Sequence, residues 1–257
     1  AKSAAMNAAV IVAAGRGTRM GPEVDKLFLE FGGRPLVAHT WSRFDRARCI
    51  DTVALVVRPG LEDAFRELAR EYGMQKPYVL VPGGAQRQDS VWNGLQAVPA
   101  ATAIVAIQDG ARPCTEEPLI AATIDAARET GAAVAAQRVT DTIKESDDGR
   151  LIAGHPDRAR LWAVQTPQTF RIEVIRRALA RVRELGVQVT DDTAACALID
   201  QPVRLIEARA PNPKLTTPAD VAYFHFLWQT PPAAGRGGRR RPLRLPCRKA
   251  TASLPAR

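Results

Sequence analysis

Three stretches of this chain gather residue types that bind and activate phosphate. The first runs Ala13-Ala14-Gly15-Arg16-Gly17-Thr18-Arg19-Met20-Gly21 and is followed by Asp25-Lys26. Glycines at 15 and 17 let backbone N–H groups turn inward on an anion with no Cβ in the way, and Arg16, Arg19 and Lys26 add positive charge to the same loop. The loop fits neither the dinucleotide fingerprint, whose third glycine would fall at Met20, nor the Walker A pattern with its Gly-Lys-Ser/Thr. Taken alone, Gly-x-Gly is equally a plain turn between strand and helix. The second stretch, Pro82-Gly83-Gly84-Ala85-Gln86-Arg87-Gln88-Asp89-Ser90, places two glycines, an arginine and a serine at the opening of a helix, either as a second polar cradle or with Asp89 or Ser90 as a helix cap. The third, Gln108-Asp109-Gly110-Ala111-Arg112-Pro113, sets a carboxylate beside an arginine. Such a pair binds a metal or ribose hydroxyls, or is no more than a surface ion pair.

Each stretch follows an apolar run that reads as a strand. Val10 to Val12 is short, unbroken and rich in β-branched residues, as a strand buried on both faces is. Further strands are expected at 52–57, 78–81, 103–107, 132–136 and 203–206, and helices at 36–44, 61–72, 119–129 and 170–185, with a last helix starting at Thr217 and ending near Trp228. This alternation implies an α/β fold, a Rossmann-like, mainly parallel sheet covered by helices on both faces, with ligands outside the carboxyl ends of its strands. Residues 138–162 break the rhythm. Two short segments flank an Asp147-Asp148-Gly149 turn, which predicts a protruding β-hairpin. His155 lies in this polar loop, where nothing requires it to be catalytic.

The chain of 257 residues is 46% hydrophobic, enough for one sizeable core. No run approaches the roughly 18 apolar residues of a membrane span, and the first seven residues lack the apolar centre of a signal peptide, so a cytoplasmic protein is expected. Cys49, Cys114, Cys196 and Cys247 form no C-x-x-C pair, which gives no sign of a zinc site or a disulfide framework. The net charge of +9 is concentrated at one end: from Gln229 onward there are eight basic residues and no acidic one. That leaves residues 1–228 nearly neutral as one domain, and residues 229–257, rich in Pro, Gly and Arg, as a disordered tail. The tail is either solvated without a specific partner or a weak anchor for nucleic acid or acidic surfaces.

The first loop, with Lys26 and the Phe31-Gly32-Gly33-Arg34-Pro35-Leu36 segment beyond it, resembles the signature of nucleotidyltransferases that activate sugars and polyols. The string G-G-x-x-R-x-x-S-V-x-x-G-L from Gly83 to Leu95, the D-x-A-R-P segment at Asp109, and Asn212-Pro213-Lys214-Leu215-Thr216-Thr217-Pro218-Ala219-Asp220 narrow the resemblance to the 2-C-methyl-D-erythritol 4-phosphate cytidylyltransferases. It covers roughly residues 8–227, in five motifs in the expected order.

That resemblance implies transfer of CMP from CTP to the methylerythritol phosphate, with pyrophosphate released, in the non-mevalonate route to isoprenoid precursors. It implies Arg19 and Lys26 on the α-phosphate, a nucleotide held by Ala13, Ala14, Gly15, Gly17, Gly83, Gly84, Ser90, Asp109 and Gly110, and Asp109, Arg112, Thr142, Arg158, Thr190 and Lys214 toward the acceptor. Arg158 and Lys214 would grip the acceptor's phosphate, and Mg²⁺ would ride mainly on the triphosphate with Asp109 beside it. The hairpin would be a dimerisation arm that carries Thr142 into the partner subunit's site, making a homodimer. Ala85 stands where many relatives are acidic, so no side-chain contact is expected there. Of the adjacent acids at 191 and 192, Asp192 is expected to cap a helix, and the site role to fall to Thr190 or Asp191. The length leaves no room for the fused cyclodiphosphate synthase domain of some relatives. Two alternatives accompany this reading: a ribitol-5-phosphate cytidylyltransferase, which would share the nucleotide motifs, and a nucleic-acid-binding role for the basic tail.

Overall fold

The computed structural model describes residues 5–15, 17–21 and 25–229; Arg16, and the tail from 230 onward with Cys247, lie outside the described residues. In chain order the elements are β1 (Met6–Ala13), β2 (Glu30–Phe31), β3 (Arg34–Pro35), α1 (Leu36–Arg46), β4 (Thr52–Val57), α2 (Glu62–Glu71), β5 (Tyr78–Pro82), α3 (Arg87–Ala97), β6 (Thr102–Asp109), α4 (Glu117–Thr130), β7 (Ala132–Arg138), β8 (Trp162–Arg171), α5 (Ile172–Leu185), α6 (Asp192–Ala197), β9 (Arg204–Glu207) and α7 (Asp220–Gln229). Seven strands form one sheet in the order β5-β4-β1-β6-β8-β7-β9, and β2 pairs with β3 in a separate small hairpin. No helix among the described residues is long and apolar enough to cross a membrane.

The central strands are apolar on both sides because both sides are covered. Along β1, Ala9, Ile11 and Ala13 enter one core with α1, α2, α4 and α7, while Ala8 and Val10 enter a second with α3, α5 and α6. This period of two sends alternate residues to opposite faces. The fully buried β4 follows the same logic. On the first face, Trp41, Phe44, Phe65 and Phe224 fill the space between sheet and helices.

Two elements depart from the expectations. Residues 162–171 carry β8, a strand that the apolar pattern does not announce, and the helix expected from Phe170 begins at Ile172. β8 runs antiparallel between β6 and β7, so the sheet is mainly rather than wholly parallel. Its centre is buried but polar: Gln165, Thr166, Gln168 and Thr169 all lie inside. The excursion between β7 and β8 contains the Asp147-Asp148-Gly149 turn, with Asp148 Oδ1 accepting from the backbone N–H groups of Arg150 and Leu151. Its two limbs pair at one antiparallel bridge, Glu145 to Gly154, rather than along regular strands.

Candidate active site

The carboxyl ends of β1, β5 and β6 face a cavity of about 530 Å³. Its first wall is the loop that leaves β1. Ala13, Ala14 and Gly15 line the cavity; beyond them, Met20 N–H donates to Gly17 C=O at 2.8 Å and closes a 3-10 turn over Thr18–Met20. Gly17 has φ +65°, and a Cβ there would lie 3.2 Å from the Lys26 side chain, so both the turn and the lysine's packing favour glycine. Arg19 is exposed on this turn. Lys26 is buried, with its ammonium donating to Leu215 C=O at 2.9 Å. Burial lowers its pKa, and the nearby charges of Lys214 and Arg19 lower it further.

The second wall is the β5–α3 junction. A Cβ on Gly83 would stand 2.3 Å from that of Ala14, so glycine lets the two loops touch. Gly84 and Ser90 line the cavity. Ser90 Oγ accepts from Gly84 N–H at 3.0 Å and donates to Gln86 C=O at 3.2 Å, which fixes the cradle. Capping is the task of Asp89, whose carboxylate accepts from Gln86 N–H at 3.1 Å in a capping box. The capping reading of this stretch thus falls on Asp89, which leaves Ser90 facing the cavity.

Asp109 closes the floor at the end of β6. Lys214 Nζ donates to it at 2.7 Å, Arg87 Nε reaches it at 3.4 Å, and Arg112 Nε stands 3.8 Å away. Burial pushes the Asp109 carboxyl up, but Lys214 and then Arg87 and Arg112 outweigh it and hold the pKa at about 2. The neighbouring Gly110 is pinned from both sides, its N–H donating to Val12 C=O at 2.9 Å and its C=O accepting from Thr40 Oγ1 at 2.8 Å.

Lys214 reaches this floor because the loop before α7 is tied down. The buried Asn212 amide donates to Gln165 Oε1 at 3.1 Å and Thr166 C=O at 2.8 Å and accepts from Thr115 Oγ1 at 3.0 Å. Arg112 Nη1 donates to Asn212 C=O at 2.7 Å, and Leu215 N–H to Ala111 C=O at 3.0 Å. The Asp109–Arg112 and Asn212–Leu215 segments thus form one unit, with Arg112 inside it rather than among the cavity's lining side chains.

Ala13, Ala14, Gly15, Lys26, Gly84, Ser90, Asp109, Gly110 and Lys214 are therefore brought together at the cavity, with Gly17, Gly83 and Arg112 supporting it from behind and Arg19 on the adjoining turn. Thr142 and Arg158 lie instead on the exposed excursion, where Arg158 Nη1 donates to Thr140 C=O at 2.7 Å. His155 is there too, its Nδ1 2.7 Å from Lys144 Nζ. Thr190 lines a shallower cavity that shares Gln86 and Arg87 with the main one.

The helix cap expected at Asp192 falls instead to Asp191. Asp191 is the N-cap of α6, accepting from Ala194 N–H at 2.9 Å. Asp192 is buried, with Arg87 Nη1 donating to it at 2.9 Å. Backbone direction explains the exchange: Asp191 has the extended conformation of an N-cap, whereas Asp192 is already helical and turns inward. Gln168 fixes both, donating to Asp191 at 3.0 Å and accepting from Asp192 N–H at 2.9 Å. Arg87 thus sits within the G-G-x-x-R motif, yet its pairing with Asp109 and Asp192 is not legible in that motif. Its signal was an arginine at the first position of a helix, where the dipole disfavours a cation and carboxylates must compensate.

Among the described residues no group of three or more His, Cys, Asp or Glu side chains could hold a metal by itself. Asp109, the one carboxylate among the described residues that line the cavity, is already engaged by Lys214 with Arg87 and Arg112 nearby, so a magnesium ion at this site would take most of its ligands from water and substrate phosphates.

Two glycine-shaped loops, two lysines and one carboxylate on the carboxyl edge of a mainly parallel sheet make an α/β site suited to a phosphate-bearing ligand. Comparison with known proteins makes the class specific. Residues 7–230 match the family described as IspD, 2-C-methyl-D-erythritol 4-phosphate cytidylyltransferase. The enzyme so named from Desulforamulus reducens is 44% identical over 214 residues, covering 83% of this chain and 92% of the relative. Its namesake from Geobacillus kaustophilus is 42% identical over 219 residues, covering 85% and 95%. Among solved structures, the 4-diphosphocytidyl-2C-methyl-D-erythritol synthase of Anaerococcus prevotii superposes with a TM-score of 0.79 at 30% identity, covering 88% of this chain and 96% of that one. The 2-C-methyl-D-erythritol 4-phosphate cytidylyltransferase of Thermus thermophilus gives a TM-score of 0.72 at 31% identity, covering 88% and 100%. The chain belongs to the 2-C-methyl-D-erythritol 4-phosphate cytidylyltransferase family.

Proposed function

We propose that this chain transfers CMP from CTP to 2-C-methyl-D-erythritol 4-phosphate in the route to isoprenoid precursors. An oxygen of the acceptor's phosphate attacks the α-phosphorus of CTP; the new P–O–P bond forms as the bond to the β-phosphate breaks, and pyrophosphate leaves with the electron pair. No general base is required, because a phosphate monoester with a second pKa of about 6 is already largely a dianion at neutral pH. The protein's work is alignment and neutralisation of charge.

The observation that carries this reading is the convergence of Lys26, Lys214 and Asp109 on the cavity between the two glycine loops. An ammonium has three donors. Lys26 spends one on Leu215 C=O, and Lys214 spends one on Asp109, so each keeps donors for phosphate oxygens. We assign Lys26, with Arg19 on the adjoining turn, to the α-phosphate and Lys214 to the acceptor's phosphate. Ala13, Ala14, Gly15 and Gly17 would bind the triphosphate through backbone N–H groups, and Gly83, Gly84, Ser90 and Gly110 the cytosine and ribose. Asp109, ionised at neutral pH, orients Lys214 and offers one ligand to Mg²⁺, which when bound would offset charge on the triphosphate.

Arg158 and Thr142 enter the same reading through a second chain. Leu151 and Ile152 near the tip of the arm are 75% and 59% exposed, an apolar end with no core of its own. A homodimer in which the arm covers the partner's site would bury this tip and deliver both residues, with Thr190 completing the acceptor side and Arg112 acting from behind by holding the Lys214 loop. As a CTP-consuming enzyme it would work in the cytoplasm.

Pyrophosphate release with CTP and Mg²⁺ tests the proposal, with 2-C-methyl-D-erythritol 4-phosphate and ribitol 5-phosphate compared in parallel and UTP and ATP as controls. Turnover confined to CTP and the methylerythritol phosphate is the expected result. Preference for ribitol phosphate would refute the substrate assignment, and silence with both would refute the reaction.

A further inference from the structure

A separate cavity of about 340 Å³ shares no lining residue with the catalytic one and is walled by Arg34, His39, Ser42, Arg43, Arg46 and Glu117. Four of these follow the spacing 39, 42, 43, 46 along α1, which puts them on one helical face. Arg34 comes from β3 and leans over them. Its Nη2 donates to Ser42 Oγ at 2.8 Å, and its guanidinium carbon lies 4.4 Å from the centre of the Tyr72 ring. Its Nε is buried with no hydrogen-bond partner. Arg43 spends Nε on Pro113 C=O at 3.3 Å. Glu117, the one carboxylate in the cavity wall, accepts from Arg48 N–H at 2.9 Å.

None of Arg34, Arg43 and Arg46 forms an ion pair among the described residues. Arg43 and Arg46 are exposed and Arg34 is half-buried, with burial and then the nearby Arg46 charge lowering the Arg34 pKa and one Arg34 donor buried without a partner, an arrangement that an anion would complete. We propose that this cavity binds a compact, multiply charged phosphate anion, of the pyrophosphate or phosphate-ester class, between Arg34, Arg43 and Arg46. The forked donors of arginine match the several acceptor oxygens of such a group better than the two of a carboxylate. The helix that carries the site also carries Thr40, which holds Gly110 at the catalytic floor, and Arg43 itself holds Pro113, so both sites bear on the segment from Asp109 to Pro113.

Inorganic pyrophosphate is the probe, and the His39 ring is the reporter, since it lies in the cavity wall and the chain has three histidines to resolve by NMR. In the full chain, pyrophosphate should shift the His39 signal saturably. The shift should persist in Lys26→Ala, which weakens the triphosphate side of the catalytic cavity where the product pyrophosphate would sit, and require roughly ten-fold or more pyrophosphate in Arg46→Glu or Arg43→Gln, as expected for loss of a charge-assisted bond. Arg46→Glu should keep its turnover with CTP, which shows that it folds. The proposal is overturned if His39 does not respond, if Arg46→Glu responds as the native chain does, if Lys26→Ala abolishes the shift, or if chloride at equal ionic strength produces the same shift.

Discussion

Arg87 joins two carboxylates that belong to different parts of the chain, and its removal should be felt in both stability and pH dependence. Asp192 is 1% exposed and Arg87 29%, at a separation of 2.9 Å. Arg87→Met keeps most of the side chain's volume and leaves Asp192 buried without a cation, while Asp192 Oδ1 already lacks a partner. Breaking a buried pair from one side costs about 3–5 kcal/mol. Because Arg87 opens partly onto the cavity, the low end, about 3 kcal/mol, is expected. For a domain of this size that lowers Tm by roughly 6–12 °C.

The sign of the pH effect follows from Asp192. Burial raises its pKa, and Arg87 is the main force pulling it back. Without Arg87 the folded chain favours the protonated acid more strongly than the unfolded chain does. The neutral acid's contribution is fully present below the unfolded value near 3.8 and is lost as pH rises through the raised folded value. Thermal melting followed by circular dichroism should therefore show a small Tm deficit for Arg87→Met near pH 4 and the full deficit near pH 8. Adding Asp192→Leu should restore much of the loss, since replacing both partners by apolar groups removes the stranded charge. A deficit of less than about 2 °C at pH 8, a deficit independent of pH, or a double variant as unstable as the sum of the two singles would refute the reasoning.

Three further outcomes are expected. Gly83→Ala drives a Cβ against Ala14 at 2.3 Å, an overpacking of about 1–3 kcal/mol that should raise KM for CTP roughly 5- to 150-fold, and an unchanged KM would show that the two loops need not touch. Asp109 has a depressed pKa of about 2, so its contribution to stability is present above the unfolded value of 3.8 and is lost as pH falls toward 2; Tm measured against pH should show this acid limb in the native chain and a weaker one in Asp109→Asn, and superimposable profiles would contradict it. Leu151→Asp with Ile152→Asp should yield a monomer by sedimentation and little pyrophosphate release while leaving the domain's Tm within about 2 °C, whereas a dimer that survives both charges would remove the arm from the interface.

The elements that sequence reveals here are those whose side chains all do one thing. β4 is apolar from end to end because both its faces are covered, so its bounds can be read directly from residues 52–57. β8 is as buried at its centre but is filled with Gln165, Thr166, Gln168 and Thr169, which serve hydrogen bonds to Asn212, Asp109, α6 and Thr123. A pattern built on apolarity passes over such a strand, and its antiparallel place between β6 and β7 is set by partners far away in sequence. The site divides in the same way. Its glycine loops are local, each at the end of a strand, and their backbone chemistry can be named from composition. Its charges are not local: Lys214 meets Asp109, and Arg87 meets Asp192, each across 105 positions. Asp191 and Asp192 are chemically equal as letters, and only the direction in which α6 starts decides which one caps and which one takes the arginine. Resemblance supplied Lys214, since spacing alone leaves it an exposed loop lysine. What brings it to the cavity is Asn212, whose buried amide anchors the loop so that an otherwise free ammonium stands beside the carboxylate at the end of β6.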